Sequence, residues 1–262
     1  MDKQGGNMKP RIVVKIGTST LTAGTKLISR GKIENIGRQI LALRDQYDII
    51  LVSSGAVATA KQFININGLK NNMVHSKQAL SAIGQPKLLQ IYAECFGDFD
   101  LKVAQCLMTY KDFDNEESRK NTRNTVDELL NHGFIPIFNE NDTVAVEELI
   151  LGDNDKLSAL VASLVEANLL IIASDIEGLF TKNPNLHEDA ELIPVVHDLS
   201  NINQFIEERE NGLGTGGMTS KISAAKICFE KGIEVYLVNG ARSNFIQRSL
   251  NKEIRFTRFS PK

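Results

Sequence analysis

The sequence predicts an α/β fold, a three-layer αβα sandwich built on a mainly parallel central sheet. Two observations carry this. Short apolar runs rich in β-branched residues recur along the chain, and they are continuous rather than alternating, as strands buried on both faces are. Between them lie stretches with helical spacing of apolar residues. Strand alternating with helix gives parallel neighbours joined by crossovers that cover both faces.

Taken in order, the predicted strands are 11–16, 48–53, 101–107, 134–138, 169–174 and 234–238. The clearest helix carries Leu157, Leu160, Val161, Leu164 and Val165, the i, i+3, i+4, i+7, i+8 pattern of one buried face. A second carries Met218, Ile222, Ala225 and Phe229. The most polar stretch, 198–217, reads as a helix followed by a flexible glycine loop. No repeat or Pro/Gly-rich linker divides the chain, so residues 8–262 read as one domain. Met8 offers an alternative start, which would make residues 1–7 an added leader.

Composition narrows the function. Of 262 residues, 30 are basic and 32 acidic, a net charge of −2 at a sequence pI of about 6.1. That balance gives no basic surface for nucleic acid. No apolar run reaches the roughly 20 residues that span a bilayer, and the start has no apolar signal core. Cys95, Cys106 and Cys228 are far apart, with no CxxC, so neither a disulfide framework nor a zinc site is expected. The compartment reads as reducing, that of the cytoplasm, and no metal site is expected.

In parallel sheets, ligands sit beyond the carboxyl ends of the strands. The segments there are Lys15-Ile16-Gly17-Thr18, Ser53-Ser54-Gly55-Ala56, Asn139-Glu140-Asn141-Asp142 and Ser174-Asp175-Ile176-Glu177. They are rich in residues that turn tightly or cap helices. Lys15 stands in an apolar strand, where an ammonium must reach the strand end or find an anion. Gly17 beside it permits close backbone approach. Asp153, Asn154 and Asp155 open the best amphipathic helix, more polar residues than a cap requires.

The loop Gly212-Leu213-Gly214-Thr215-Gly216-Gly217 matches GxGxxG by letter, but no strand precedes it and no acidic residue follows the next strand, so a dinucleotide fingerprint does not fit. Walker A and protein-kinase signatures are absent as well. What the loop does is open a helix with Lys221 in its first turn, where backbone N–H groups and the helix dipole suit phosphate. His75, His132, His187 and His197 occupy loop-like or helix-end contexts, and none is placed for general-base work.

Together these segments resemble the amino acid kinase family, and within it the branch that phosphorylates glutamate. The resemblance runs from Lys9 to about Asn251. Its most specific pieces are Lys15 to Thr22, Ser53 to Ala58, Ile137 to Ala145, Gly152 to Ala159 and Gly212 to Lys221. Single pieces recur in sister kinases, while the combination is that of the glutamate branch. The resemblance implies the amino acid kinase fold, with a substrate lobe over about 8–167 and a nucleotide lobe over about 168–262. It implies phosphorylation of the L-glutamate γ-carboxylate by ATP with Mg2+, for proline synthesis. Lys15 and Lys221 would neutralise the transferring phosphoryl group, with Asp155 holding both. Ser54, Asp142 and Asn154 would bind glutamate. Lys15, Ser174, Asp175, Thr215, Gly216, Gly217, Met218, Thr219, Ser220 and Lys221 would contact ATP. It further implies a homo-oligomer, dimer or tetramer, and feedback inhibition by proline.

The pattern departs from the family at Ser174, Phe180 and Asn183, where Thr, Tyr and Asp are usual, and at Thr219-Ser220, where the hydroxyls are exchanged. Many members also carry a C-terminal PUA domain, an RNA-binding-type module, so the chain reads as the kinase-only form. Residues 114–123, dense in both charges, read either as a mobile loop that closes over glutamate or proline, or as a solvated helix start. Two other readings stay open. One is a related kinase with a different carboxylate or phosphate acceptor, against which Asp142 argues, because a carboxylate suits a free α-ammonium. The other is a non-catalytic effector-binding protein, against which the pair Lys15 and Lys221 argues.

Overall fold

In the computed structural model, which describes residues 9–64, 74–145, 154–200, 202 and 217–261, the strands are β1 (Arg11–Ile16), β2 (Asp48–Ser53), β3 (Lys102–Met108), β4 (Phe134–Glu140), β5 (Leu169–Ser174), β6 (Val195–Val196), β7 (Glu234–Asn239) and β8 (Thr257–Phe259). They form one sheet in the order β3-β4-β2-β1-β5-β7-β8-β6. From β3 to β7 every pairing is parallel, and β8 turns antiparallel to β7. The helices are α1 (Thr18–Thr22), α2 (Arg30–Leu43), α3 (Ala56–Phe63), α4 (Val74–Gly97), α5 (Tyr110–Asp114), α6 (Glu116–Asn131), α7 (Asn154–Leu164), α8 (Met218–Phe229) and α9 (Phe245–Leu250).

Strand periodicity sorts the core into two layers. Val13, Ile50, Val52, Leu170, Ile172 and Leu237 pack with Val126, Leu157, Val161, Ile222 and Ala225 from α6, α7 and α8. Their neighbours in sequence, Val14, Leu51, Ile171 and Val238, pack with Ile33, Ile36, Leu88, Tyr92 and Phe245 from α2, α4 and α9. Successive residues of a strand point to opposite faces, so an apolar run without alternation supplies both layers. The three-layer sandwich follows directly.

The expected strands lie within two residues of the observed ones. β3 departs in burial: it is an edge strand with partly exposed residues, so it is not covered as the central strands are. The expected mobile loop at 114–123 is overturned. Asp114 ends α5 and the rest opens α6, whose N-cap Asn115 accepts from the Ser118 N–H at 2.8 Å. Glu116 and Glu117 occupy its first turn, where carboxylates suit the helix dipole. Arg119 and Arg123 are anchored to the carbonyls of Phe113 and Leu164 at 2.7 and 2.9 Å. The charges belong to a capped, anchored helix start. Most of the expected helix and glycine loop at 198–217, including Thr215 and Gly216, lies outside the described residues.

The three cysteines are free. Burial pushes the Cys106 and Cys228 thiols up to about 11 and about 12, so neither is a thiolate near neutral pH.

Candidate active site

Lys15 shares its strand face with Val13, and Val13 packs in the layer of α7 and α8. The period of two therefore aims Lys15 at those helices. Near the carboxyl end of β1 it meets Asp155, in the first turn of α7, with Nζ 2.5 Å from Oδ1. Lys221, in the first turn of α8, reaches the other oxygen, Nζ to Oδ2 at 3.0 Å. Asp155 is 0% exposed, Lys15 6% and Lys221 5%. Burial pushes the Asp155 carboxyl up, but the charges of Lys15 and Lys221 outweigh it and hold the group down at about 2. Two ammoniums thus converge on one carboxylate, in a setting where Coulomb forces are little screened.

The surroundings suit an anion. Gly217 caps α8 without a side-chain hydrogen bond, and space is open where its Cβ would be. Ser220 donates to Asp155 Oδ2 at 3.0 Å or to the Gly217 carbonyl at 2.9 Å. A Cβ on Gly17 would lie 3.5 Å from Lys15 Nζ and 3.6 Å from the Ala173 carbonyl oxygen. Its φ of −73° is open to any residue, so what this glycine supplies is bare space in front of the ammonium. Across the sheet, Ile16 is level with Ala173 of β5, which puts Ser174 and Asp175 beside Gly17. Ser174 is buried and donates to Asp175 Oδ1 at 3.1 Å, while Asp175 is exposed.

On the β2 side, the amide nitrogen of Asn154 is 2.9 Å from the Ser53 carbonyl, 3.1 Å from Ser54 Oγ and 2.8 Å from Asn139 Oδ1. Asn139 donates in turn to Gln85 Oε1 at 2.6 Å. Tyr92 Oη lies 3.0 Å from Ser53 Oγ. Asp142, beyond β4, accepts from Ser81. Burial pushes the Asp142 carboxyl up, with the Ser81 hydrogen bond opposing.

The structure thus joins Lys15, Asp155, Lys221 and Ser220 directly, and links Asn154 to Ser54. Asp142, Ser174 and Asp175 stand on neighbouring loops of the same sheet edge. Gly217 caps the helix that bears Met218, half buried, and Thr219, exposed. Sequence reasoning missed Ser81, Gln85 and Asn139. A signal existed: Ser81 and Gln85 are one helical turn apart and buried, polar residues on the inner face of α4.

The sequence profile of the amino acid kinase family matches residues 10–239. A glutamate 5-kinase of Caldanaerobacter subterraneus subsp. tengcongensis is 44% identical over 253 residues, covering 96% of this chain and 68% of that one. A glutamate 5-kinase of Helicobacter hepaticus is 40% identical over 258 residues, 97% of this chain and 96% of that one. The crystal structure of UMP kinase from Ureaplasma parvum superposes with a TM-score of 0.63 at 17% identity, covering 96% of this chain and 99% of that one, a likeness of fold.

Proposed function

This chain belongs to the amino acid kinase family, and from that premise we propose that it transfers the γ-phosphoryl group of ATP to the γ-carboxylate of L-glutamate. The products are L-glutamyl 5-phosphate and ADP, the first step towards proline. The observation that carries the reading is Asp155, fully buried and bridging two lysines from distant parts of the chain. A binding module has no use for such a device. A phosphoryl-transfer site does, because positioning and charge neutralisation supply nearly all its catalysis.

A γ-carboxylate is already ionised at neutral pH, so its oxygen attacks phosphorus without a general base. The bond from Pγ to the bridging oxygen breaks, and ADP leaves with the electron pair. Lys15 and Lys221 neutralise the equatorial oxygens, and Asp155 fixes the two ammoniums at one point. The start of α8 at Gly217 and the bare space at Gly17 receive the phosphates. Mg2+ brought in with the nucleotide would supply further charge neutralisation at the phosphates. Among the described residues no three His, Cys, Asp or Glu side chains converge on a metal position.

Asp142 pairs with the substrate α-ammonium. Its carboxyl is raised by burial, a cost that a cation relieves. Ser54 and Asn154 hold the remaining polar groups. Acetylation would remove the α-charge, so an acetylglutamate kinase would have no use for Asp142. Ser174, Asp175 and 215–221 contact ATP, which divides the domain into a substrate lobe and a nucleotide lobe. We place the enzyme in the cytoplasm, as a dimer or tetramer inhibited by proline, which shares the α-carboxylate and cationic nitrogen of glutamate. Among the described residues no helix is long and apolar enough to cross a membrane.

The test is ADP release with MgATP and a panel of amino acids. L-Glutamate elicits turnover and N-acetyl-L-glutamate does not; the reverse result would overturn the assignment.

A further inference from the structure

The hydrogen bonds on the β2 side form a directional relay. The Ser53 carbonyl can only accept, so the group of Asn154 that faces it is Nδ2. The Glu140 backbone N–H can only donate, so the Asn139 atom it meets at 2.9 Å is Oδ1. Asn139 Oδ1 also takes the Asn154 amide, which turns Asn139 Nδ2 towards α4. Gln85 must answer with Oε1. Two backbone groups thus fix the orientation of three side-chain amides, and the group left over is Gln85 Nε2.

Gln85 is 9% exposed. Among the described residues its Nε2 has no acceptor, Oε1 being the atom that meets Asn139. An amide donor held rigid in a buried side chain, with no acceptor among the described residues, is available to a ligand at the substrate end of the sheet. Its place there is specific. Ser81, which donates to Asp142, precedes Gln85 by one helical turn on the same face, about 6 Å away.

We infer that Gln85 Nε2 donates to the α-carboxylate of the amino-acid substrate. This rests on the reading given above, in which Asp142 takes the α-ammonium. The two charged groups on one α-carbon are then read by adjacent positions on α4 and its partner loop, the ammonium through Asp142 and the carboxylate through Gln85. The γ-carboxylate extends away from them to Lys15 and Lys221. The relay gives Gln85 its fixed aim, because no flip of its amide can occur without breaking the bond to Asn139.

The substitution Gln85→Glu separates the two ends of this side chain. A carboxylate oxygen still accepts from Asn139, so the relay survives, while the outward donor becomes an anion. The expected result is a glutamate KM raised about 10- to 100-fold, the effect of losing a hydrogen bond to a charged group. The α-carboxylate does not react, so kcat stays within about threefold, and the ATP KM within about twofold. An unchanged glutamate KM would overturn the inference and leave Gln85 as a mere acceptor for Asn139. A fall in kcat at unchanged KM would overturn it too, since it would place Gln85 at the reacting carboxylate. Should Gln85→Glu fail to fold, Gln85→Met removes both ends, and the same division between KM and kcat decides. Failure of the underlying reading is seen separately, in an unsubstituted enzyme that releases no ADP with L-glutamate.

Discussion

Replacing Lys221 by alanine takes one of two ammoniums from a carboxylate that is 0% exposed. The site loses one of the two positive charges it offers to the phosphates. At a separation of about 4 Å and an effective dielectric of about 20, one unit charge acting on another is worth about 4 kcal/mol, and a factor of ten in rate corresponds to about 1.4 kcal/mol. Part of that interaction is already present in the ground state, because ATP brings its own charge. The share that grows as the phosphoryl group transfers, judged from other lost electrostatic donors, lowers kcat about 10²- to 10³-fold. The assay is ADP release at saturating ATP and glutamate, with the glutamate KM measured alongside. That KM should move far less than kcat. The variant is also less stable, because Asp155 loses one of its two lysines, and breaking a buried pair costs about 3–5 kcal/mol. Thermal unfolding of the same preparation therefore shows whether the measured protein is folded. A folded Lys221→Ala enzyme with near-normal kcat would refute the two-lysine mechanism.

Asp142→Asn should keep the fold and weaken glutamate binding by about 1.5–3 kcal/mol, the worth of a charge-assisted hydrogen bond; calorimetric titration measures it, and unchanged affinity reduces Asp142 to a turn residue. Asp155, held at about 2 in the folded state, contributes stability that is fully present above the ordinary carboxylate range and is lost as pH falls from about 4 through about 2. Denaturant unfolding across that interval should show a decline that Asp155→Asn lacks. Gly84→Ala should be strongly destabilising, since its Cβ would lie 1.8 Å from the Ala56 carbonyl oxygen. A thermal midpoint within about 2 °C of the parent, where 1 kcal/mol corresponds to about 2–4 °C in a chain of this size, would contradict that packing. Proline at millimolar concentration should slow turnover at subsaturating glutamate, and rates that ignore it would remove feedback control from this chain.

The strands were legible because burial on both faces leaves its mark in composition alone. Val13-Val14 and Ile50-Leu51 feed opposite layers, so no position along these runs can be polar without a reason. Lys15 was legible for the same reason, as a charge where only function or cost could follow. The helix α4 was not. Its buried face runs through Leu80, Ser81, Gly84, Gln85, Leu88 and Tyr92, and the polar members break the apolar period just where the helix meets the site. The amides of Gln85 and Asn139 carry no charge to betray them, and their pairing with Asn154 exists only once three remote segments meet. At 114–123 the charges misled, because a capped helix start and a mobile loop have similar composition. The carbonyls that anchor Arg119 and Arg123 belong to tertiary structure.

The place of β1 has a consequence for how the enzyme comes into being. This strand lies between β2 and β5, so the first strand to be synthesised gains its second neighbour only when the fifth is made. Contacts of such long sequence separation form slowly, because chain closure must precede the interactions that reward it. Lys15 waits for α7 to bring Asp155, and the second lysine on that carboxylate arrives only with α8. The cluster is therefore completed late in assembly, with the docking of α8.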